Sequence, residues 1–144
     1  MIRRAVVVLV AALIGAAVLG PAGAAADPTL DLENMSIAKA QAMMDAGELT
    51  AVQLTRAYIN RINALNQRGP SLNAVRTLNP NALADAAVID NERAHGIIRG
   101  PLEGVPMIVK DNIDVAGLPT TAGDVALANS IPSQDSPIVA RLRA

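Results

Sequence analysis

From Ala5 to Gly20 the chain is apolar without a break, and after Asp27 its apolar positions become periodic. Between Thr50 and Leu65 they fall at Ala51, Leu54, Tyr58, Ile62 and Leu65, while Gln53, Arg56, Asn60 and Asn63 face away. Intervals of three and four predict an amphipathic helix. Thr50, followed three residues later by Gln53, makes a capping-box pattern at its start, and Gly69-Pro70 ends it. A shorter helix is predicted from a Ser36 cap through Asp45, with Gly47 past its end. Asn79-Pro80 offers an N-cap and first-turn proline for an alanine-rich helix reaching Ala94, with Gly96 as its stop. A last helix reads from Ser136 to Ala144, with Ile138, Val139 and Leu142 on one side. Two segments read as strands. One is Asn73 to Leu78, where Val75 lies between polar neighbours. The other is Met107-Ile108-Val109, whose apolar character on both faces suits a sheet covered on both sides.

The unbroken run changes how the rest is read. Arg3 and Arg4 precede it and Ala24-Ala25-Ala26 follows it, which predicts a secretory signal peptide over residues 1–26, cleaved after Ala26. As a helix the run spans only about 24 Å, short of a bilayer core of about 30 Å, so a stable membrane span is not expected. The predicted localisation is secreted or cell envelope. The remaining Asp27–Ala144 is long enough for one modest domain. It keeps ten basic against thirteen acidic side chains, a net charge of −3. With no basic patch and Tyr58 as the only aromatic residue, nothing recruits nucleic acid. The chain has no cysteine and a single histidine, His95. A disulfide, a thiolate nucleophile, a histidine metal cluster and a Ser-His-Asp triad are therefore not expected within it. His95, beside Gly96, reads as favourable charge at a helix C-terminus.

Candidate chemistry concentrates at Lys110. It follows Met107-Ile108-Val109 directly, at the carboxyl end where open α/β folds place their chemistry. A free lysine, with a pKa of ~10.4, is nearly all ammonium at neutral pH. Burial penalises the charged form and turns it into a usable base, and an apolar strand end is a place for such desolvation. On local pattern alone, Lys110 reads rather as a strand-exit lysine reaching solvent, with Asp111 as its surface partner. Asp111 and Asp114 flank Asn112, but further ligands at calcium-loop spacing do not follow, so they read as caps for loop backbone groups. Gly104 to Lys110 lacks the P-loop pattern.

The wider segment tips the balance. Gly100-Pro101-Leu102, Gly104, Pro106, Lys110-Asp111-Asn112, Gly117 and Thr120-Thr121-Ala122-Gly123 together resemble the region around the catalytic lysine of the amidase signature family of serine hydrolases. Weaker similarity extends through both longer helices and on to Val139-Ala140-Arg141-Leu142-Arg143. Glu103 departs from the pattern, where many members have histidine, as does Asp124, where serine is common. The resemblance implies an α/β fold, here the N-terminal part of a mixed sheet flanked by helices. It implies hydrolysis of carboxamides without a cofactor, with Lys110 as base in a Ser-cisSer-Lys arrangement and a small-molecule or peptide amide as substrate. Both serines of that arrangement lie in a Gly/Ser-rich segment well downstream of the lysine. Ser36, Ser71, Ser130, Ser133 and Ser136 lack its flanking glycines and read as caps and turns. The expectation is a truncated chain, inactive alone, completed by further sequence or by a second chain supplying the serines. A non-catalytic secreted helical binding module and an unstable product of a degenerate gene are the alternatives.

Overall fold

The computed structural model describes residues 30–144, so the predicted leader and its cleavage point lie outside the described residues. Four helices are present among them: α1 (Ile37–Asp45), α2 (Ala51–Leu65), α3 (Ala82–Ala94) and α4 (Pro137–Arg143), with a 3₁₀ turn at Val125–Leu127. None is long and apolar enough to cross a membrane.

The helix ends follow from local chemistry. Ser36 Oγ accepts from the Lys39 N–H at 3.1 Å, capping α1. Past its end, Gly47 at φ +71° lets the Gly47 and Glu48 N–H groups reach the Met44 and Met43 carbonyls. That left-handed exit is the one glycine accepts at no steric cost. Both halves of the predicted capping box form on α2: Thr50 Oγ1 accepts from Gln53 N, and Gln53 Oε1 accepts from Thr50 N. α3 begins two residues later than predicted. Asn79 caps a turn rather than the helix, its Oδ1 accepting from Asn81 N at 2.9 Å, and Asn81 is the N-cap. Gly96 ends α3 with the same left-handed exit.

α2 packs on α3, and α1 adds Ala40 and Met44 to the same core. Ala40, Met44, Leu49, Ala51, Leu54 and Ala86 form the buried cluster, with Tyr58, Ile89 and Val105 packed against it. The core is made mostly of small side chains, and Leu54 is the one large side chain fully enclosed among the described residues. Gly104, at φ +82°, sits against this core, and a Cβ there would lie 3.0 Å from Met44 Sδ and 3.2 Å from Ala51 Cβ. Close approach, as much as backbone freedom, requires glycine at this point of the motif.

Neither predicted strand forms, so the α/β expectation is corrected: among the described residues there are helices and loops but no strand. A strand exists only by pairing, and each segment meets something other than a strand. Asn73–Leu78 docks on the end of α2. The Asn66 side chain donates to the Val75 carbonyl at 2.7 Å and accepts from its N–H at 2.9 Å, taking both groups a neighbouring strand would use. Leu72 N and Asn73 N donate to the Leu65 and Asn66 carbonyls. Met107–Val109 meets no partner at all among the described residues. In α4, Ser136 caps and Pro137 opens the helix as its sequence suggests. Only Val139 of the predicted apolar side is buried, while Ile138 and Leu142 are exposed.

Candidate active-site segment

The approach to Lys110 is held by the helical layer. Gln41 on α1 donates from Nε2 to the carbonyls of Pro101 and Glu103, at 3.0 and 2.9 Å. Arg93 on α3 donates to Gln41 Oε1 at 3.0 Å and pairs with Asp45 at 2.6 Å, its side chain only 10% exposed. Glu103, the departure from the motif's usual histidine, is buried. One of its carboxylate oxygens accepts from the Arg99 N–H, closing the loop between α3 and the Gly100–Gly104 turn. Loop, α1 and α3 are thereby one connected piece.

Lys110 itself is exposed. Met107 and Ile108 before it are 50% and 76% exposed. The desolvation expected of a strand-end lysine is therefore not supplied by the described residues.

The backbone just beyond Lys110 is fixed by Asp111. Its Oδ1 accepts from Thr121 N at 2.9 Å, its Oδ2 accepts from the Thr121 hydroxyl, and its carbonyl accepts from Ala122 N at 2.9 Å. Arg76 Nε adds an ion pair to Oδ2 at 3.4 Å. The Thr121 hydroxyl and N–H, with a smaller contribution from Arg76, hold the Asp111 carboxyl below the usual carboxylate range. Thr121 is buried, and its Oγ1 also accepts from Gly123 N at 3.1 Å. The following turn closes with Asp124 N donating to the Thr121 carbonyl at 2.8 Å. Ala122 and Gly123 both take positive φ, +50° and +81°, the signs of a type I′ turn. Asp111 thus caps loop backbone, the role its position suggests, with Thr121 rather than Lys110 as its partner.

From there a loop pairs with the chain leading into α4. Gly117 N donates to the Pro132 carbonyl and Thr120 N to the Ser130 carbonyl. Asp135 accepts from Ala116 N, and Ser136 N donates to the Asp114 carbonyl. An open groove of about 360 Å³ runs beside the clamp, lined in part by Gln67, Asn73, Arg76, Thr77 and Thr121. Lys110 does not line it. No group of three or more metal-ligating side chains occurs among the described residues. Ser36 and Ser136 are helix caps, and Ser71 sits in a positive-φ turn. His95 lies at the C-terminus of α3, its Nδ1 donating to the Asn91 carbonyl at 2.8 Å. Arg76, Gln41 and Arg93 carry the site's geometry without any local signal in the sequence, because their partners are 10 to 62 residues away.

Comparison with known proteins gives a consistent answer. The family model described as Amidase matches residues 53–144. A Schizosaccharomyces pombe protein named as an amidase is 42% identical over 115 residues, 79% of this chain and 19% of that protein. A glutamyl-tRNA(Gln) amidotransferase subunit from Chloroflexus aurantiacus is 41% identical over 113 residues, 78% of this chain and 23% of that one. The X-ray structure of native peptide amidase from Stenotrophomonas maltophilia superposes with a TM-score of 0.74 at 49% identity, covering 76% of this chain and 22% of that one. The chain spans about a fifth of the length of the relatives it matches.

Proposed function

This chain belongs to the amidase family, and from that premise we propose that it is the lysine-bearing part of a carboxamide hydrolase. The substrate class is a small-molecule or peptide amide, and no cofactor enters the scheme. The observation that carries the reading is the clamp at Lys110. Asp111 fixes the backbone immediately after the lysine on the Thr120–Gly123 turn, so the lysine projects from a defined point rather than from a free loop. A base held this way suits proton transfer, which depends on placement before it depends on pKa.

In the complete site, neutral Lys110 takes a proton from one serine, and that serine takes one from the nucleophilic serine, which attacks the amide carbon. Backbone donors stabilise the tetrahedral oxyanion. Collapse breaks the carbon–nitrogen bond, the amine leaves with a returned proton, and water releases the carboxylate from the acyl-serine. Lys110 must be desolvated to start the cycle, and in this chain it is exposed. The serines and the cover belong to a further segment, on the same chain or on a second one. Export through residues 1–26, to the cell envelope or beyond, is part of the same reading.

The test is ammonia release from peptide amides by the pure 144-residue chain. The expected result is none above buffer. Turnover abolished by Lys110→Ala would overturn the expectation of inactivity alone.

A further inference from the structure

We propose that Arg76 is a positioning residue for Lys110, acting through Asp111: it supplies the counter-charge of that carboxylate, so that Lys110 does not. This rests on the amidase reading of Lys110 as a base, but its test needs no turnover. Lys110 and Asp111 are neighbours in sequence and opposite in charge, yet no ion pair joins them among the described residues. Asp114, the other carboxylate of this loop, makes none with Lys110 either. Both side-chain oxygens of Asp111 are taken by other groups. Oδ1 accepts from Thr121 N at 2.9 Å, while Oδ2 accepts from the Thr121 hydroxyl and lies 3.4 Å from Arg76 Nε.

The two partners do different things. Thr121 is neutral, so it fixes where the carboxylate sits and leaves its charge in place. Arg76 is the group that cancels that charge. A nearby opposite charge favours the ammonium form of a lysine, and a base must spend part of its time without the proton. An uncompensated carboxylate on the next residue would therefore work against Lys110. Arg76 is itself placed from α2. Asn66, the C-cap of that helix, bonds both backbone groups of Val75, at 2.7 and 2.9 Å, and Arg76 is the next residue. The helix end, the guanidinium and the carboxylate thus form one line of contacts that ends beside the lysine. Stability does not explain the pair. With the Arg76 side chain 56% exposed, such an ion pair contributes little to folding, so its effect falls on the charge at the site.

Lys39 and Lys110 are the only lysines of the chain, so Lys39 serves as an internal reference. The full 144-residue chain is treated with limiting acetic anhydride at about pH 8, where the reactive unprotonated amine of a lysine is the minor form. Acetylation of the two lysines is compared by peptide mass, at a temperature where circular dichroism of every variant matches the parent. Arg76→Gln should lower the Lys110-to-Lys39 ratio about two- to threefold, the size expected of one uncompensated charge acting through water at about 6 Å. Arg76→Lys, which keeps the charge, should hold the ratio at the parent value. In an Asp111→Asn background, Arg76→Gln should have no further effect, because the carboxylate it answers is gone. An unchanged ratio in Arg76→Gln would overturn the proposal. So would an equal fall in the Asp111→Asn background, which would make Arg76 a remote charge rather than a partner of Asp111. Failure of Arg76→Lys to keep the ratio would overturn it in favour of a role for the shape of the guanidinium. The amidase reading fails separately: amide hydrolysis untouched by Lys110→Ala would sink that reading and leave these ratios as they are.

Discussion

A methyl group on Gly104 would have to enter a space already held by Met44 Sδ and Ala51 Cβ, on a backbone at φ +82°. Gly104→Ala combines left-handed strain with overpacking and should cost about 2 to 4 kcal/mol in urea unfolding. The sequence marks this glycine as part of a motif, yet its reason lies in residues more than fifty positions upstream. Asp111 is the second case. Its carboxyl is held below the ordinary range, first by the Thr121 hydroxyl and then by the Thr121 N–H. The folded chain therefore takes up this proton less readily than the unfolded chain. The clamp's contribution is full above the unfolded carboxylate value of about 3.9 and is lost as pH falls through the lower folded value. In a series of thermal midpoints from about pH 6 to about pH 2, Asp111→Asn should remove part of the acid-side decline. It should also lower the midpoint at the upper end of the series. The motif announces Lys110-Asp111 as a pair, but nothing local says that the aspartate serves Thr121 and the lysine stands free.

Elements were legible where their signals are local. Thr50 with Gln53, Ser36, Ser136-Pro137 and the glycines at 47 and 96 set helix ends that the structure reproduces. Asn79-Pro80 misled by two residues because asparagine closes a turn as readily as it caps a helix. The strands were not legible, since a strand is a property of two segments: Asn66 takes both backbone groups of Val75, and Met107–Val109 meets no partner among the described residues. Across elements, the N-terminus of α2 has a support no local pattern encodes: Asp90 on α3 accepts from Ala51 N at 2.6 Å and from Val52 N at 3.0 Å. With Thr50 bonding Gln53 N, the first three N–H groups of α2 are all satisfied. Asp90→Ala leaves two of them unpaired beside the core and removes a negative charge from the positive end of the helix. A loss of about 2 kcal/mol in urea unfolding is expected, with Asp90→Asn intermediate.

At the scale of the molecule, α1, α3 and the Pro101–Glu103 turn are joined, while the segment from Met107 to Lys110 is largely exposed. Any lysine needs a dry surrounding before it can act as a base, and the described residues leave Lys110 exposed. The proposed inactivity of the chain alone belongs to this scale, whereas the family was readable from one short segment. The helical layer meanwhile does more than fill space. Because the Arg93 guanidinium joins α1, α3 and the Pro101–Glu103 carbonyls through Gln41, the turn that opens the approach to the lysine is tied to both helices. Opening this turn breaks bonds to both helices. The amides of that turn are therefore expected to exchange only with the breathing of the helices, on a timescale set by a cooperative unit rather than by a loop.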